Sequence, residues 1–402
     1  MDKTLVVLIS EQHVPNLLSV HHFKPDSLVM LQTDEMARRE AGARFLDALR
    51  LGGMDYSESH RSLAVPSADS PDEVYRLLSE VWGPGARWIV NLTGGTKPMS
   101  IGAWNFGVEK CADLAYSNVS EPGRIRYLRR QDPRSPVLED MKHDLSIREF
   151  LTGYGFKVLK SQDAIDASHE RARGWFETSR AIARENNGED LLSLDEAERK
   201  RARSKGLRLE TRHQTEWLRS RMDLQHSIAA SFALAGGTLA GGLDKYQVEF
   251  LLGGWLEVFF WGLLQERSRD LGVRDVSLGL QVGPARTAVG DEGPPNELDV
   301  SFIRNFQLTT IECKSGGQDH DPQAEILYKI EAVMEGFRAL RVGKCLATTA
   351  RSLADAEGHL KDAVRRRARL YDCAVITARE IRVLAEQPTD ELLLKAVSGR
   401  WR

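Results

Sequence analysis

The chain has 402 residues, of which 42% are hydrophobic and 28% charged, and its formal net charge is −3. This length favours two or three globular domains, and the near-neutral charge excludes a cationic domain that binds nucleic acid by bulk attraction. Four cysteines stand far apart without a CxxC pair, so neither a disulfide framework nor a zinc ribbon is predicted. A short, weakly charged N-terminus and the lack of about 18 consecutive apolar residues predict a cytoplasmic protein.

Short apolar runs alternate with helical patterns from Thr4 to about Arg130. The predicted strands are TLVVLIS, SLVMLQT, RSLAVPS and ARWIVNLT, and the predicted helices are DEMARREAGARFLDALRLGG and SPDEVYRLLSEVWG. Such alternation is typical of an α/β fold with a parallel, doubly wound sheet. Two later runs, DLAYSNVS and RIRYLRR, predict a terminal hairpin. The first domain is therefore predicted to span residues 1–131.

Two polar loops follow strands of this predicted sheet. NLTGGTKPMSIGA opens a helix directly after a strand, with two glycines, several hydroxyls and Lys97. A loop of this kind at the carboxyl edge of a parallel sheet suits a phosphate. The G-K-[ST] ending of a Walker A loop is missing, so ATP hydrolysis is not predicted. The loop ISEQHVPNLLS after the first strand would lie at the same edge, which favours a nucleotide pocket over a plain strand-to-helix turn.

These two loops resemble the ligand-loop motifs of CARF domains, the Rossmann-like sensors of cyclic oligoadenylate in type III CRISPR defence. The resemblance covers roughly residues 1–130. It implies a homodimer in which one cyclic oligonucleotide, with cyclic tetra-adenylate favoured, lies across the two-fold axis and contacts both loops of each subunit. The ligand residues that it implies are Ser10, Gln12, Asn16, Thr93, Gly94, Gly95, Thr96, Lys97 and Met99, with Thr33 and Asp34 as weaker candidates.

The middle of the chain, residues 132–244, is predicted as a linker followed by a strongly charged helical segment that forms a solvated hairpin or a partner-facing arm. Residues 245–402 form the last predicted part. An apolar helix, YQVEFLLGGWLEVFFWGLLQERSRD, precedes the strands VSLGLQVG, NELDVSFIRN and QLTTIECKSG. The helix PQAEILYKIEAVMEGFRAL, the strand KCLATTA, the helix LADAEGHLKDAVRRRARLYD, the strand CAVITA and a helical pair follow.

Two acidic residues and one lysine in these strands are spaced so that they can support hydrolysis, although a surface Glu–Lys pair on an exposed strand would have the same spacing. Asp299 lies in one strand, and Glu312 and Lys314 lie two apart in the next, on one face of the sheet. The two carboxylates and the Cys313 carbonyl can bind a divalent cation, while Lys314 can position or deprotonate the attacking water. The Cys313 side chain should point away from this face. Glu257, within GGWLEVFF, needs a partner or a metal if it is buried.

The element order and the D…E-x-K spacing resemble the PD-(D/E)XK nuclease superfamily over residues 245 to about 385, although NELD stands where a literal PD is expected. With the front domain, the chain resembles CRISPR-associated CARF nucleases. The resemblance implies a metal-dependent nuclease that cyclic oligoadenylate activates, with Glu257, Asp299 and Glu312 binding Mg²⁺ or Mn²⁺ and Lys314 assisting the water. Gln323, Tyr328 and Lys329 are candidate contacts to the backbone of a DNA or RNA substrate. The basic run with Arg365, Arg366, Arg367 and Arg369 is either a phosphate-binding surface or a solvated helix face.

Two alternatives stay open from the sequence. RLETRH and RMDLQH match the R-x4-H pattern of HEPN ribonucleases, in which His and Arg cleave RNA without a metal. A non-catalytic regulator that binds DNA would need a helix-turn-helix, for which LSIREFLTGYGFKV is the candidate segment. The nucleic acid that is cleaved, the activator ring size and the role of residues 160–230 are not fixed by the sequence.

Overall fold

A computed structural model describes residues 2–117, 123–130, 136–285, 296–316, 342–355 and 357–401. They fall into two compact units. The first unit comprises the chain up to Val158 and two short later segments, which begin at Val282 and at Asn305. The second unit comprises the rest of the chain. These units are defined by packing and are not the same as the predicted domains, whose boundaries stay predictions. The predicted helix that carries Gln323, Tyr328 and Lys329 lies outside the described residues.

The described strands of the first unit form one sheet in the order β3-β2-β1-β4-β5-β6-β7. Neighbours from β3 to β5 are parallel, and β6 and β7 are antiparallel additions. The predicted doubly wound α/β fold and the terminal hairpin of β5 and β6 are thereby confirmed. The strands are β1 (Lys3–Leu8), β2 (Ser27–Thr33), β3 (His60–Val65), β4 (Arg87–Asn91), β5 (Asp113–Ser117), β6 (Arg124–Arg129) and β7 (Leu138–Asp140).

Helices connect these strands and cover the sheet, with a core that includes Val6, Leu31 and Phe106. The prediction of one helix after β2 is wrong. Glu40 adopts a left-handed φ of 54°, which ends the first helix and starts a second one that buries Phe45. The helices are α1 (Val14–Phe23), α2 (Asp34–Arg38), α3 (Ala41–Leu51), α4 (Pro71–Val81), α5 (Lys97–Glu109) and α6 (Ile147–Gly153).

A second sheet has the order β15-β14-β13-β12-β11-β8. β13, β14 and β15 are parallel, and β8 is antiparallel to the end of β11. A separate antiparallel pair is formed by β9 and β10. The strands are β8 (Phe156–Val158), β9 (Leu207–Leu209), β10 (Gly241–Leu243), β11 (Val273–Pro284), β12 (Asn296–Arg304), β13 (Gln307–Lys314), β14 (Gly343–Thr348) and β15 (Cys373–Ile376).

The charged middle of the chain is part of the core of the second unit. Its longest helix, α7 (Gln162–Glu185), packs on α12 (Trp255–Glu266). Phe176 of α7 lies so close to Gly262 that a Cβ there would be 2.1 Å from its ring. The predicted solvated hairpin or arm is therefore wrong for α7, because the polar residues occupy one face and an apolar stripe is buried.

Two further helix predictions are corrected. The helix predicted from Leu353 begins only at Asp362, because the Asp355 carboxylate accepts backbone N–H bonds from Glu357 and His359 and forms a turn. The apolar helix is interrupted by a π-helical turn, Phe250–Gly254. The remaining helices are α8 (Glu196–Lys205), α9 (Glu216–Arg219), α10 (Met222–Ser231), α11 (Lys245–Glu249), α13 (Ser268–Leu271), α14 (Asp362–Leu370), α15 (Ala378–Glu386) and α16 (Asp390–Ser398).

The stretch Lys245–Glu266 is long and apolar enough to resemble a membrane span by length and composition. However, 72% of its apolar window is buried inside the protein. Trp255, Phe259 and Trp261 from this stretch belong to the core of the second unit. The stretch therefore has the packing of a core helix.

Candidate functional sites

The two polar loops of the first unit lie side by side. β1 and β4 are parallel neighbours, with Val7 opposite Asn91 in register. The strand order reverses between them, because β2 and β3 extend the sheet beyond β1 while β5 extends it beyond β4. Open α/β sheets bind ligands at such a switch point, at the carboxyl ends of the strands. The loops after β1 and β4 occupy this position.

A buried amide network fixes both loops. Asn91 Nδ2 donates to Asn16 Oδ1 at 2.8 Å and to Ser19 Oγ at 3.1 Å. Asn16 in turn donates to the Leu8 carbonyl at 2.9 Å, and Asn91 Oδ1 accepts the Thr93 N–H at 3.0 Å. Asn16 is fully buried, so its side chain supports the loops from below. Asn91 and Ser19 have the same supporting role, which the sequence pattern did not reveal.

The glycine-rich loop presents unpaired backbone donors. Among the described residues, the N–H groups of Gly94, Gly95, Thr96 and Lys97 make no hydrogen bond. Gly94 has a φ of 154°, and a Cβ at this position would lie 2.3 Å from the Leu8 carbonyl oxygen. Only glycine therefore permits this path of the chain. Consecutive free N–H groups at the start of α5 can donate hydrogen bonds to an anion.

The other predicted ligand residues occupy different depths. Gln12, Thr96 and Lys97 are exposed, and Ser10 is half-buried with its hydroxyl near the Gln12 backbone. Met99 is fully buried in the core, so only its backbone is near the loop. The structure thus brings the predicted ligand residues to one edge of the first sheet, where some of their side chains are exposed and others are buried. The hydroxyls of Thr33 and Thr96 cap helices, and the Thr93 hydroxyl accepts a hydrogen bond from a strand N–H.

In the second unit, β13 presents Glu312 and Lys314 on one face. The burial alternates, with Cys313 buried and its two neighbours half-buried. Lys314 Nζ lies 2.6 Å from Glu312 Oε1 and 3.6 Å from Asp299 Oδ2. Asp299 on β12 also accepts the Cys313 N–H at 2.7 Å. The side chain of Cys313 belongs to the core, as predicted from its position in the strand.

Mutual repulsion and burial change the acidity of this cluster. Burial and the Glu312 carboxylate raise the pKa of Asp299 from 3.8 to about 7. Burial and the Asp299 carboxylate raise the pKa of Glu257 well above 4.5. Burial by itself would lower the pKa of Lys314, but Asp299 and Glu312 outweigh it, so this pKa lies above 10.5. The cluster has more acidic groups than one ammonium can neutralise.

Glu257 is placed by the π-helical turn that precedes α12. Gly253 within this turn has a φ of 137°, and a Cβ there would be 2.6 Å from the Ser315 hydroxyl. The turn therefore packs against the residue that follows Lys314. Single π-turns inside helices are frequent at functional sites. Glu257 follows in the first turn of α12 and is half-buried.

The acidic residues fit a divalent cation by donor type but are not preassembled around one. Within the described residues, the carboxylates of Glu257, Asp299 and Glu312 do not all lie within 4.8 Å of one another. The Lys314 ammonium lies between two of them. Carboxylate and carbonyl oxygens are the ligands that Mg²⁺ prefers, and the raised pKa of Asp299 shows a negative site that a cation would stabilise.

A cavity of about 410 Å³ lies at the carboxyl ends of β14 and β15. It adjoins the acidic cluster, because Thr348 in its wall is opposite Lys314 in register. Arg379 donates to the Glu357 carbonyl and the His359 ring, and Arg382 to Asn187 Oδ1. In the described parts of the chain, neither guanidinium has a carboxylate partner within 4.0 Å. These arginines were not identified from the sequence.

Arg208 and His213 of the first R-x4-H motif line a cavity of about 290 Å³. His213 is buried, and its Nδ1 accepts the Glu210 N–H at 3.1 Å, which closes a turn. Arg208 is exposed on β9. In the second motif, Arg221 pairs with Glu185 at 2.7 Å. The first motif therefore has a structural histidine, and the arginine of the second is neutralised.

Two family models match the sequence. The Card1 CARF domain matches residues 4–150, and the Card1-like endonuclease domain matches residues 244–391. Comparison with curated proteins finds no match. The two matched ranges contain the glycine-rich loop and the acidic cluster, respectively.

Solved structures similar to the whole chain are also found. Can2 from Sulfobacillus thermosulfidooxidans in complex with cyclic tetra-adenylate has a TM-score of 0.65 at 20% identity, covering 98% of this chain and 99% of that one. Protein VC1899 from Vibrio cholerae has a TM-score of 0.73 at 16% identity, with the same coverage. A type III CRISPR defence DNA nuclease activated by cyclic oligoadenylate has a TM-score of 0.50 at 16% identity, covering 87% of this chain and 45% of that one. These likenesses show the shared fold.

Proposed function

The chain belongs to the CARF-fused endonucleases, with a CARF domain of the Card1 type and a Card1-like endonuclease domain, and we propose that cyclic oligoadenylate switches on its metal-dependent cleavage of nucleic acid. The observation that carries the proposal is the cluster of Asp299, Glu312 and Lys314 on adjacent strands. Such a cluster supplies both cation ligands and a positive group for phosphodiester hydrolysis.

The activator is proposed to bind at the switch point of the first sheet. The free N–H groups from Gly94 to Lys97 would donate to a phosphate oxygen, and the Lys97 ammonium would add positive charge. Cyclic tetra-adenylate is the favoured ring, which the bound ligand of Can2 supports. A symmetric ring suits a homodimer, since an isologous interface offers it identical contacts from each subunit.

The cleavage site is proposed to hold Mg²⁺ or Mn²⁺ through Asp299, Glu312 and the Cys313 carbonyl, with Glu257 as a further ligand. When bound, the cation would supply an activated water and offset charge on the scissile phosphate. The neighbouring carboxylates raise the pKa of Lys314. Its side chain would position the attacking water and offset negative charge on the scissile phosphate.

The substrate strand is proposed to continue into the arginine-lined cavity beside the cluster. Arg379 and Arg382 can donate to phosphate oxygens without first breaking an ion pair to a described residue. The basic helix α14 is a second candidate surface, with Arg366 and Arg367 near its middle. Contacts of this kind are independent of base sequence and weaken with salt. DNA, RNA or both are the proposed substrates, and defence against foreign nucleic acid in the cytoplasm is the proposed role.

The decisive experiment incubates the purified protein with labelled RNA, single-stranded DNA and plasmid, each with and without cyclic tetra-adenylate, Mn²⁺ and EDTA. We expect cleavage only when the activator and the metal are both present. RNA cleavage that resists EDTA would contradict the proposal and favour a HEPN-type site. Activator binding without cleavage of any substrate would also contradict it and leave a ligand-gated regulator.

A further inference from the structure

A histidine–glutamate cluster lies in the first unit, apart from the loops proposed to bind the activator. His21 comes from the last turn of α1, Glu149 from α6, and His143 from the segment just before α6. The ring atoms His21 Nε2 and His143 Nε2 lie 3.3 Å and 2.9 Å from Glu149 Oε1. One ligand atom from each residue falls within 4.8 Å of the other two. The proposed activator and cleavage sites use none of these three side chains.

The cluster is buried and contains a polar atom without a hydrogen bond. The side chains of His21 and Glu149 are 6% and 4% exposed. His21 Nε2 is buried and makes no hydrogen bond, because its position 3.3 Å from Glu149 Oε1 is not aligned for one. A buried ring nitrogen in this state is costly unless another group satisfies it. A metal ion in front of the nitrogen would do so.

The backbone of Gly52 lies directly beside these donor atoms. A Cβ at Gly52 would lie 2.3 Å from Glu149 Oε1 and 2.7 Å from His21 Nε2. Any other residue at position 52 would therefore press on the cluster. The same region opens into a cavity of about 920 Å³ whose wall includes His21, Gly52 and His143. An ion can reach the cluster from this cavity.

Glu149 is oriented as a ligand by its other oxygen. Oε2 accepts the Ser146 N–H at 2.9 Å and the Ser146 hydroxyl at 2.7 Å, which leaves Oε1 facing the two rings. Burial alone would raise the pKa of Glu149, but hydrogen bonds from His143 and Ser146, together with the neighbouring His21 ring, hold it well below its usual range. Within the described residues, no lysine or arginine pairs with this carboxylate. The cluster therefore contains a buried anion.

We propose that His21, His143 and Glu149 bind a zinc ion. Two imidazole nitrogens and one carboxylate oxygen are a ligand set that Zn²⁺ prefers, with a fourth position left for water from the cavity. The rings of His21 and His143 are stacked in parallel, with centroids 3.4 Å apart. One ring must turn about χ2 for both nitrogens to face one ion, and His143, at 19% exposed, has the room to do so.

A zinc ion here would join α1 to α6. α1 begins directly after the first ligand loop, and His21 lies two turns further along the same helix. The ion would therefore fix the far end of the helix whose near end carries Asn16. Because the unfolded chain does not hold the three ligands together, binding free energy adds to the stability of this unit.

The test measures zinc content and thermal stability in the full chain, without activator or nucleic acid. A Glu312→Gln background removes a ligand of the proposed cleavage site, so that zinc at that site does not confuse the result. After dialysis against Zn²⁺ and removal of free metal, we expect about one zinc ion per chain by mass spectrometry. Cobalt substitution should give the visible absorption bands of a four-coordinate ion.

Two single variants on this background distinguish specific zinc coordination by these three residues from nonspecific zinc binding. His143→Ala should lose the bound zinc and the zinc-dependent rise in Tm, whereas His22→Ala should keep both, because His22 pairs with Glu139 in the same cavity. Equal zinc content in the His143→Ala protein, or none in the background protein, would overturn the proposal. The result does not depend on nuclease activity, so it stands or fails separately from the proposed function.

Discussion

His13 offers a quantitative test of the first unit. It lies in the loop after β1, is 3% exposed, and stacks on Phe45 with a ring separation of 6.4 Å. Its Nδ1 is buried without a hydrogen bond. Burial and the nearby Arg44 guanidinium lower its pKa from 6.5 to about 4. The folded protein therefore keeps this imidazole neutral at pH values where the unfolded chain protonates it.

The sign and size of the effect follow from this difference. Above pH 6.5 both states are neutral and His13 causes no pH dependence. As the pH falls from 6.5 to 4, the unfolded state takes up a proton that the folded state refuses, so stability decreases. At about 1.4 kcal/mol for each pH unit, the loss reaches roughly 3 kcal/mol at pH 4.

Replacement of His13 by Phe removes the titrating group and keeps an aromatic ring beside Phe45. We expect the Tm of the variant, relative to wild type, to rise progressively between pH 6.5 and 4.5, with little difference in slope above pH 7. Urea unfolding followed by hydrogen exchange in peptides from the first unit shows whether the unfolding transition belongs to this unit. His226→Gln is the control, since His226 is exposed. A variant whose stability difference from wild type is constant across this range would refute the reasoning.

Three further predictions concern the proposed sites. Glu312→Gln should abolish cleavage and retain activator binding. Lys97→Ala should weaken the binding of cyclic tetra-adenylate by tenfold or more, so that this variant cleaves only at high activator concentration. Calorimetry and a cleavage assay check both results, and loss of both functions in a folded Glu312→Gln protein would contradict them. Arg379→Gln should raise KM for nucleic acid more than it lowers kcat and should reduce the salt dependence of binding. Arg269→Gln on α13 serves as the matched control because Arg269 is exposed, and equal effects of the two variants would argue against the cavity as the substrate path. Gly94→Ala should lower the free energy of unfolding by about 2 kcal/mol or more and remove activator binding, because the added Cβ would clash with the β1 backbone. A variant with unchanged Tm and affinity would disprove that the path of this loop requires glycine.

The sequence predicted features that depend on local pattern. Alternating strands and helices led to the parallel sheet, and the two-residue period of β13 correctly placed Glu312 and Lys314 on one face and Cys313 on the other. The position of NLTGGTKP after a buried strand likewise placed this loop at the switch point of the sheet. In each case the spacing along the chain itself determines the arrangement.

Features that depend on residues distant in sequence were missed. The arginine-lined cavity joins Asn187 to Arg379 and Arg382, and its formation follows from packing that no local period encodes. The left-handed backbone of Glu40 separates α2 from α3, whose apolar face is buried in the fold. The charged middle segment has the composition of a solvated arm, because its polar residues outnumber the apolar stripe that packs on α12.

The most direct test of the central claim is a crystal structure of the protein with Mn²⁺, measured at the manganese absorption edge. The account predicts an anomalous peak at roughly 2.0 to 2.4 Å from carboxylate oxygens of Asp299 and Glu312, with the Lys314 ammonium moved aside. No peak between these oxygens, with Lys314 still bridging Glu312 and Asp299 at saturating Mn²⁺, would contradict the claim.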